Sequence, residues 1–145
     1  MKRIILFLVV IISNLLCISA QKITNKDDLK KFYMNYLTLS QNASDDAKLN
    51  NLLEVFCTKE LYTAWNRDVN EIGLYDPFTN GYFDDIDLMK RTLIVRKEKE
   101  YFVVSFNYLT WDDKTKTESV LIYINSEGKI SHTVRPSDNY WTPTK

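Results

Sequence analysis

The sequence predicts an α+β fold in which three N-terminal helices pack against a curved antiparallel sheet of about four strands. In the first half of the chain, apolar residues recur at the three- and four-residue spacing of helices. After residue 92, β-branched and aromatic runs alternate with short polar joints, which is typical of strands. Helices followed by strands, rather than alternating with them, favour the α+β class.

The chain opens with a segment typical of an export signal. Met1-Lys2-Arg3 is followed by an unbroken apolar run from Ile4 to Ile12, which is too short to span a membrane. We expect residues 1–20 to be a signal peptide and residues 21–145 to form a single domain that is exported to the periplasm or outside the cell. The alternative is a lipoprotein signal that anchors the protein to a membrane through Cys17.

Three amphipathic helices are expected next. In the first, Thr24 or Asn25 is the predicted N-cap and an apolar stripe runs from Leu29 to Leu37. The second begins at Ser44-Asp45-Asp46 and places Cys57 on its apolar stripe. The third begins after the N-cap Thr58 and turns Leu61, Ala64 and Trp65 inward.

A segment without helical or strand periodicity follows, from Gly73 to about Met89. Its glycines and Pro77 break regular structure, while Tyr75, Phe78, Tyr82 and Phe83 supply apolar surface. We expect a packed loop rather than a disordered one.

Four strands are predicted in the second half, at 92–96, 101–109, 119–124 and 129–135. The joints between them are short and polar, which makes neighbouring strands antiparallel. Phe102, Val104, Phe106 and Tyr108 share one predicted face of the second strand.

The order of these elements resembles the cone-shaped fold of the nuclear-transport-factor-2-like superfamily. In addition, the segment LEVFCTKELYTAW at 53–65 and the residues Tyr75-Asp76-Pro77-Phe78 are similar to an uncharacterised family of small exported bacterial proteins and lipoproteins. The resemblance implies a cone-like domain of the bacterial envelope. It implies no activity, because neither the fold nor the family fixes one.

Charge and composition exclude several classes of function. The chain has 19 basic and 19 acidic residues, so it lacks the basic excess that nucleic-acid binding requires. One His and two Cys cannot assemble a usual zinc site, and Asp84, Asp85 and Asp87 lack the spacing of a calcium loop. Glycine-rich phosphate loops and dinucleotide motifs are also missing, and we expect no metal and no cofactor.

Two residue pairs are candidates for chemistry. Cys57 and His132 form the one thiol–imidazole combination of the expected mature chain, but Cys57 lies on an apolar stripe and is interpreted as a core residue. His132 is expected to share a strand face with Ile130 and Val134, which favours a structural role. The alternative places His132 in a cavity facing Asp76, as an acid–base pair.

The remaining candidate residues indicate a binding site near the predicted loop. Asp76 before Pro77 is typical of a turn whose side chain bonds its own backbone, and Phe78 is expected to close the end of the helix layer. Trp65, Tyr75, Asp76 and Phe78 are therefore the predicted contacts of a ligand or partner at the mouth of a pocket. The interpretation is a non-catalytic binding or accessory domain of the envelope, which meets an unknown small ligand or envelope protein. The alternatives are an isomerase or hydratase that uses His132 and Asp76, and an inhibitor or immunity protein that binds another protein.

Overall fold

Four antiparallel strands form a curved sheet in which the spatial order β1-β2-β3-β4 follows the chain. The computed structural model describes residues 21–71, 76–79 and 85–135. The strands are β1 (Ile94–Lys97), β2 (Phe102–Leu109), β3 (Thr115–Ile124) and β4 (Ile130–Val134). The described α-helices are α1 (Lys26–Leu39), α2 (Asp46–Phe56), α3 (Lys59–Trp65) and α4 (Ile86–Thr92). The α+β class predicted from the sequence is confirmed.

Polar side chains fix where the helices begin. The Asn25 side chain accepts hydrogen bonds from the backbone N–H groups of Asp27 and Asp28 at the start of α1. Thr58 and Asp85 cap α3 and α4 in the same way, by accepting from the N–H groups of Leu61 and Leu88. A π-helical segment, Asn66–Glu71, continues the chain after α3.

The helices and one face of the sheet enclose a single hydrophobic core. Helix α1 packs against α2, α4 and β1, while α4 packs against β2 and α3 against β4. The sheet contributes Val95, Phe102, Val104, Phe106, Val120, Ile122 and Ile130, all buried. Phe102, Val104, Phe106 and Tyr108 alternate with less buried neighbours, so the predicted inner face of β2 is confirmed.

Helix α4 corrects one expectation about the middle of the chain. The segment from Gly73 to Met89 was expected to be a loop and Thr92 to begin a strand, whereas Ile86–Thr92 is helical. Ile86 and Met89 are the two buried residues of this helix and give little helical repeat, and Asp84-Asp85 resembles a turn as much as a cap. The described chain therefore has four α-helices instead of the three expected.

A β-bulge in β4 corrects the expected orientation of His132. Ile122 pairs with Thr133, but Ile124 pairs with Ile130, so two steps along β3 match three along β4. Ile130 and Thr133 are both buried against the core, and His132 pairs with Tyr123 on the outer face. The expectation that His132 shares a face with Ile130 is wrong, because the extra residue reverses the alternation.

The backbone of the sheet bonds to a neighbouring segment along the β4 edge and to a helix side chain just before β1 begins. Beside β4, Cys57 forms a parallel bridge with Ile130, and the Thr58 N–H donates to the Ile130 carbonyl at 2.8 Å. Next to the short strand β1, the N–H of Asn107 donates to the Thr92 side-chain oxygen at 2.9 Å.

The turn between β3 and β4 requires a glycine. Gly128 has a φ of +80°, and a Cβ at this position would lie 2.8 Å from the Cβ of Lys22. Its carbonyl accepts from the N–H of Ile23, which ties residues 22–23 to the sheet.

Within the three described ranges, none of the helices has the length and apolar character needed to cross a lipid bilayer. The residues predicted as a signal peptide, including Cys17, lie outside these ranges.

Candidate functional site

The site is built around Asp76, at the start of a short turn that packs on α1. The Asp76 Oδ1 atom accepts a hydrogen bond from the backbone N–H of Phe78 at 2.7 Å, which is the side-chain turn expected from Asp-Pro. Phe78 is fully buried against the rings of Phe32, Tyr33 and Tyr36. This aromatic contact holds the turn, and with it the Asp76 carboxylate, against the helix layer.

Three side chains from three parts of the chain form a buried hydrogen-bonded series. Trp65 at the end of α3 donates its indole N–H to the hydroxyl oxygen of Tyr36 on α1, at 3.3 Å. The Tyr36 hydroxyl in turn donates to Asp76 Oδ2. All three residues are at least 97% buried, so their hydrogen bonds are made to protein groups in place of solvent.

Burial changes the acid–base behaviour of this series. Desolvation raises the pKa of Asp76 to about 6, although the hydrogen bonds from Tyr36 and Phe78 oppose the shift. Desolvation also raises the pKa of Tyr36 well above its ordinary value, and the negative charge of Asp76 adds to this effect. Asp76 therefore changes charge near neutral pH, while Tyr36 stays a neutral donor.

A cleft of about 250 Å³ opens beside the series. Its lining combines Tyr36, Trp65 and Asp76 with Ser40 at the end of α1 and with Asp46 and Asn50 on α2. The Oδ1 atom of Asn50 is buried and has no hydrogen-bond partner among the described residues. Because an unsatisfied buried oxygen costs free energy, a ligand that donates to Asn50 would recover it.

His132 lies away from this cleft, on the outer face of the sheet. Its ring stacks on Tyr123 with centroids 4.0 Å apart, and Tyr123 contacts Tyr101 at 5.5 Å. Partial burial lowers the pKa of His132. Asp76 packs on the helix layer at the opposite side of the sheet, so the alternative of a His132–Asp76 acid–base pair is not supported.

Cys57 is a core residue, as expected. It is 1% exposed, and burial raises its thiol pKa far above the ordinary range, so the reactive thiolate is suppressed. His132 does not activate it, because the bulge turns the imidazole to the other face.

Of the three aspartates that lack the spacing of a calcium loop, Asp85 and Asp87 lie at the start of α4. Asp85 is the cap of α4, and Asp84 lies outside the described ranges. Across residues 21–71, 76–79 and 85–135, side chains of His, Cys, Asp and Glu do not gather into any group that could hold a metal ion.

The structure thus brings together Trp65, Asp76 and Phe78 of the predicted binding residues. Tyr75 lies outside the described residues. Tyr36, Asp46 and Asn50 were not among the predicted site residues: Tyr36 appears in the sequence as one more apolar-stripe residue, Asp46 as part of a helix start, and Asn50 as a polar helix position. The two tyrosines in this stripe, Tyr33 and Tyr36, were the available signal, since a buried tyrosine hydroxyl usually takes a hydrogen-bond partner.

Comparison with known proteins finds a similar fold. No family model and no curated protein matches the chain. The solved structure of a protein of unknown function from Bacteroides thetaiotaomicron VPI-5482 superposes with a TM-score of 0.57. It is 16% identical, and the match covers 72% of this chain and 84% of that chain. At this identity the similarity shows a common fold and carries no activity.

Proposed function

We propose that the protein is a non-catalytic binding protein of the bacterial cell envelope, whose small ligand occupies the cleft at Asp76. The observation that carries this proposal is a buried carboxylate, hydrogen-bonded to Tyr36, at a 250 Å³ cleft that also contains an unsatisfied Asn50 oxygen. Small-molecule sites typically combine apolar walls with a few convergent polar groups. Leu49 and Val69 supply the apolar part of this cleft.

Binding is favoured over the catalytic alternative that pairs His132 with Asp76 by the placement of these two groups. An isomerase or hydratase of the kind considered would need a second acid–base group within hydrogen-bond reach of the same substrate. The His132 imidazole stacks on Tyr123 at the other face of the sheet, so Asp76 and Tyr36 act without it.

The envelope location and the family are part of the same proposal. A basic start and an apolar run predict export, and the similar fold in a bacterial protein of unknown function supports an uncharacterised bacterial family. We propose the cone-like arrangement of the nuclear-transport-factor-2-like superfamily for helices and sheet. Mass spectrometry of the mature N-terminus tests export. A chain that begins at Gln21 supports export, and a chain that begins at an acylated Cys17 indicates a lipid anchor. A protein that keeps Met1 and is found in the cytoplasmic fraction contradicts export.

The binding proposal is tested with a fragment library that contains cationic, neutral and anionic members in equal number. The indole N–H of Trp65 is the reporter in ¹H–¹⁵N spectra, because it donates to Tyr36 beside the cleft. Fragments that shift Trp65 and leave the exposed Trp111 unchanged support the proposal. A library in which no fragment shifts Trp65 selectively overturns it.

One observation favours a protein partner as a second candidate. Trp111 is 96% exposed at the turn between β2 and β3, where Asp113 adopts a φ of +59° and Thr110 bonds Lys114. Exposed tryptophans on ordered turns are frequent anchors in protein interfaces. A photo-crosslinker at position 111 should yield a discrete adduct in envelope extract, whereas one at the exposed Glu98 should not; equal labelling at both positions contradicts this candidate.

A further inference from the structure

We propose that the Asp76 cleft selects a small organic ammonium cation. This ligand class rests on the binding function proposed above and specifies its chemistry. Three observations support it: the acceptor character of the polar atoms in the cleft, the charge of the surrounding sequence, and the aromatic side chains of the lining.

The polar atoms of the cleft that lack internal partners are acceptors. Asn50 presents a buried oxygen without a partner among the described residues, and Asp46 adds a carboxylate on an exposed residue of the same helix. Asp76 contributes the negative charge of its buried carboxylate, whose oxygens accept from the Tyr36 hydroxyl and from the backbone N–H groups of Phe78 and Thr79. An ammonium group is a donor with no acceptor, and it therefore matches this set.

Basic side chains are missing from the described lining and from the sequence around Asp76. The lining residues of the described structure include no Lys, Arg or His. Residues 68–89, which include the segments on both sides of 76–79, contain six acidic side chains and no basic one. With Asp46 and Asp76 as its charged lining residues, the described cleft is negative, although the whole chain is neutral, and it would attract cations and repel anions.

Aromatic side chains add a contribution that is specific for cations. Tyr36 and Trp65 both line the cleft. The faces of aromatic rings attract ammonium groups, and the attraction strengthens when the cation is desolvated. A volume of about 250 Å³ limits the ligand to a small molecule.

The inference is tested with three probes of equal length: propylammonium, propanol and propionate. Each is titrated into the isotope-labelled protein while the Trp65 indole signal is followed, with Trp111 as the internal reference. Millimolar-range affinity is expected for probes of this size. Propylammonium should bind about tenfold or more tightly than propanol, and propionate should not bind.

Variants separate the cleft from general charge effects. Asp76→Asn should weaken propylammonium binding by about tenfold or more, because it removes the carboxylate. Asn50→Asp should strengthen it, and this variant keeps the test valid if Asp76→Asn fails to fold. Asp112→Asn removes an acidic charge from the β2–β3 turn, outside the cleft lining, and should leave the affinity unchanged.

The outcomes distinguish the two proposals. Equal binding of the three probes, or tighter binding of propionate, overturns the ammonium inference while the binding function stands. A loss that is the same in Asp76→Asn and Asp112→Asn also overturns it, because bulk charge then explains the preference. If neither these probes nor any library fragment shifts Trp65, both proposals fall.

Discussion

Titratable groups rest against aromatic rings on both sides of the sheet, but the two environments differ. On the helix side, Asp76 is almost fully buried and its carboxylate is held by Tyr36. On the outer side, His132 is half-buried, and its ring stacks on Tyr123 outside the hydrophobic core. One extra residue in β4 decides which side of the sheet the imidazole occupies. A pairing of His132 with Asp76 could therefore not be judged from the residue types alone, because it depends on this local irregularity of the backbone.

The two sides of the sheet should differ most in the free energy of unfolding that is lost when one aromatic ring is removed from each side. Phe78→Ala should lower the free energy of unfolding by about 3–5 kcal/mol, because it empties a fully buried position between three aromatic rings. Tyr123→Ala should cost about 1 kcal/mol, since its ring is half-buried. Denaturant titrations of both variants measure the difference, and equal losses would contradict the comparison.

The second test concerns the pH dependence of stability, to which Asp76 on the helix side should contribute. Asp76 has a folded pKa of about 6, above its value in the unfolded chain. Between about pH 4 and pH 6 the unfolded state therefore loses its proton first, and the stability of the fold declines as pH rises. This contribution amounts to about 3 kcal/mol and levels off above pH 6.

Asp76→Asn should lack that contribution. Subtracting its stability–pH curve from that of the parent protein isolates Asp76 from the other carboxylates, several of which are exposed. A difference curve that is flat from pH 4 to pH 7 would show that the Asp76 carboxyl titrates in the fold as it does in the unfolded chain.

A third test compares two buried tyrosines on one helix. Tyr36→Phe removes the donor to Asp76 and the acceptor of Trp65, and it should cost about 1.5–3 kcal/mol. Tyr33→Phe removes a buried hydroxyl that has no partner among the described residues, and it should be neutral or slightly stabilising. Thermal unfolding distinguishes them, and a larger loss for Tyr33→Phe would reverse the assignment.

The smallest expected effect is that of His132→Ala. Loss of the stack on Tyr123 should cost about 1 kcal/mol, and the Trp65 indole signal should not move. A shift of Trp65 in this variant would indicate coupling between the two sides of the sheet.

The fold class was predictable because it depends on repeated patterns. The stripe in α1 and the alternation in β2 each recur over several residues, so one exception does not hide them. Helix α4 buries two residues, Ile86 and Met89, which is too short a stripe to stand out, and the β4 bulge is a single insertion within apparently regular alternation. Both depend on tertiary packing that leaves little local signal.

The site was predictable only in part, for a related reason. Asp76 and Phe78 were expected because Asp-Pro specifies a turn by itself. Tyr36 and Asn50 contribute through contacts between α1, α2 and the turn, over separations of 26–40 residues. Their positions in the helical repeat fit a core residue and a solvated residue equally well. Periodicity therefore could not show that they form hydrogen bonds at a site.

The pairing of Thr58 with the carbonyl of Ile130 has a consequence for how this protein meets others. An extended peptide that recognises a sheet by strand addition needs free backbone groups along an edge. On β4 such a peptide would have to displace the 57–58 segment, and β1 offers only four residues, two of them the charged Arg96 and Lys97. The covered β4 edge and the short, charged β1 strand thus disfavour polymerisation by strand addition. Recognition of other molecules then depends on side chains rather than on the backbone of the sheet.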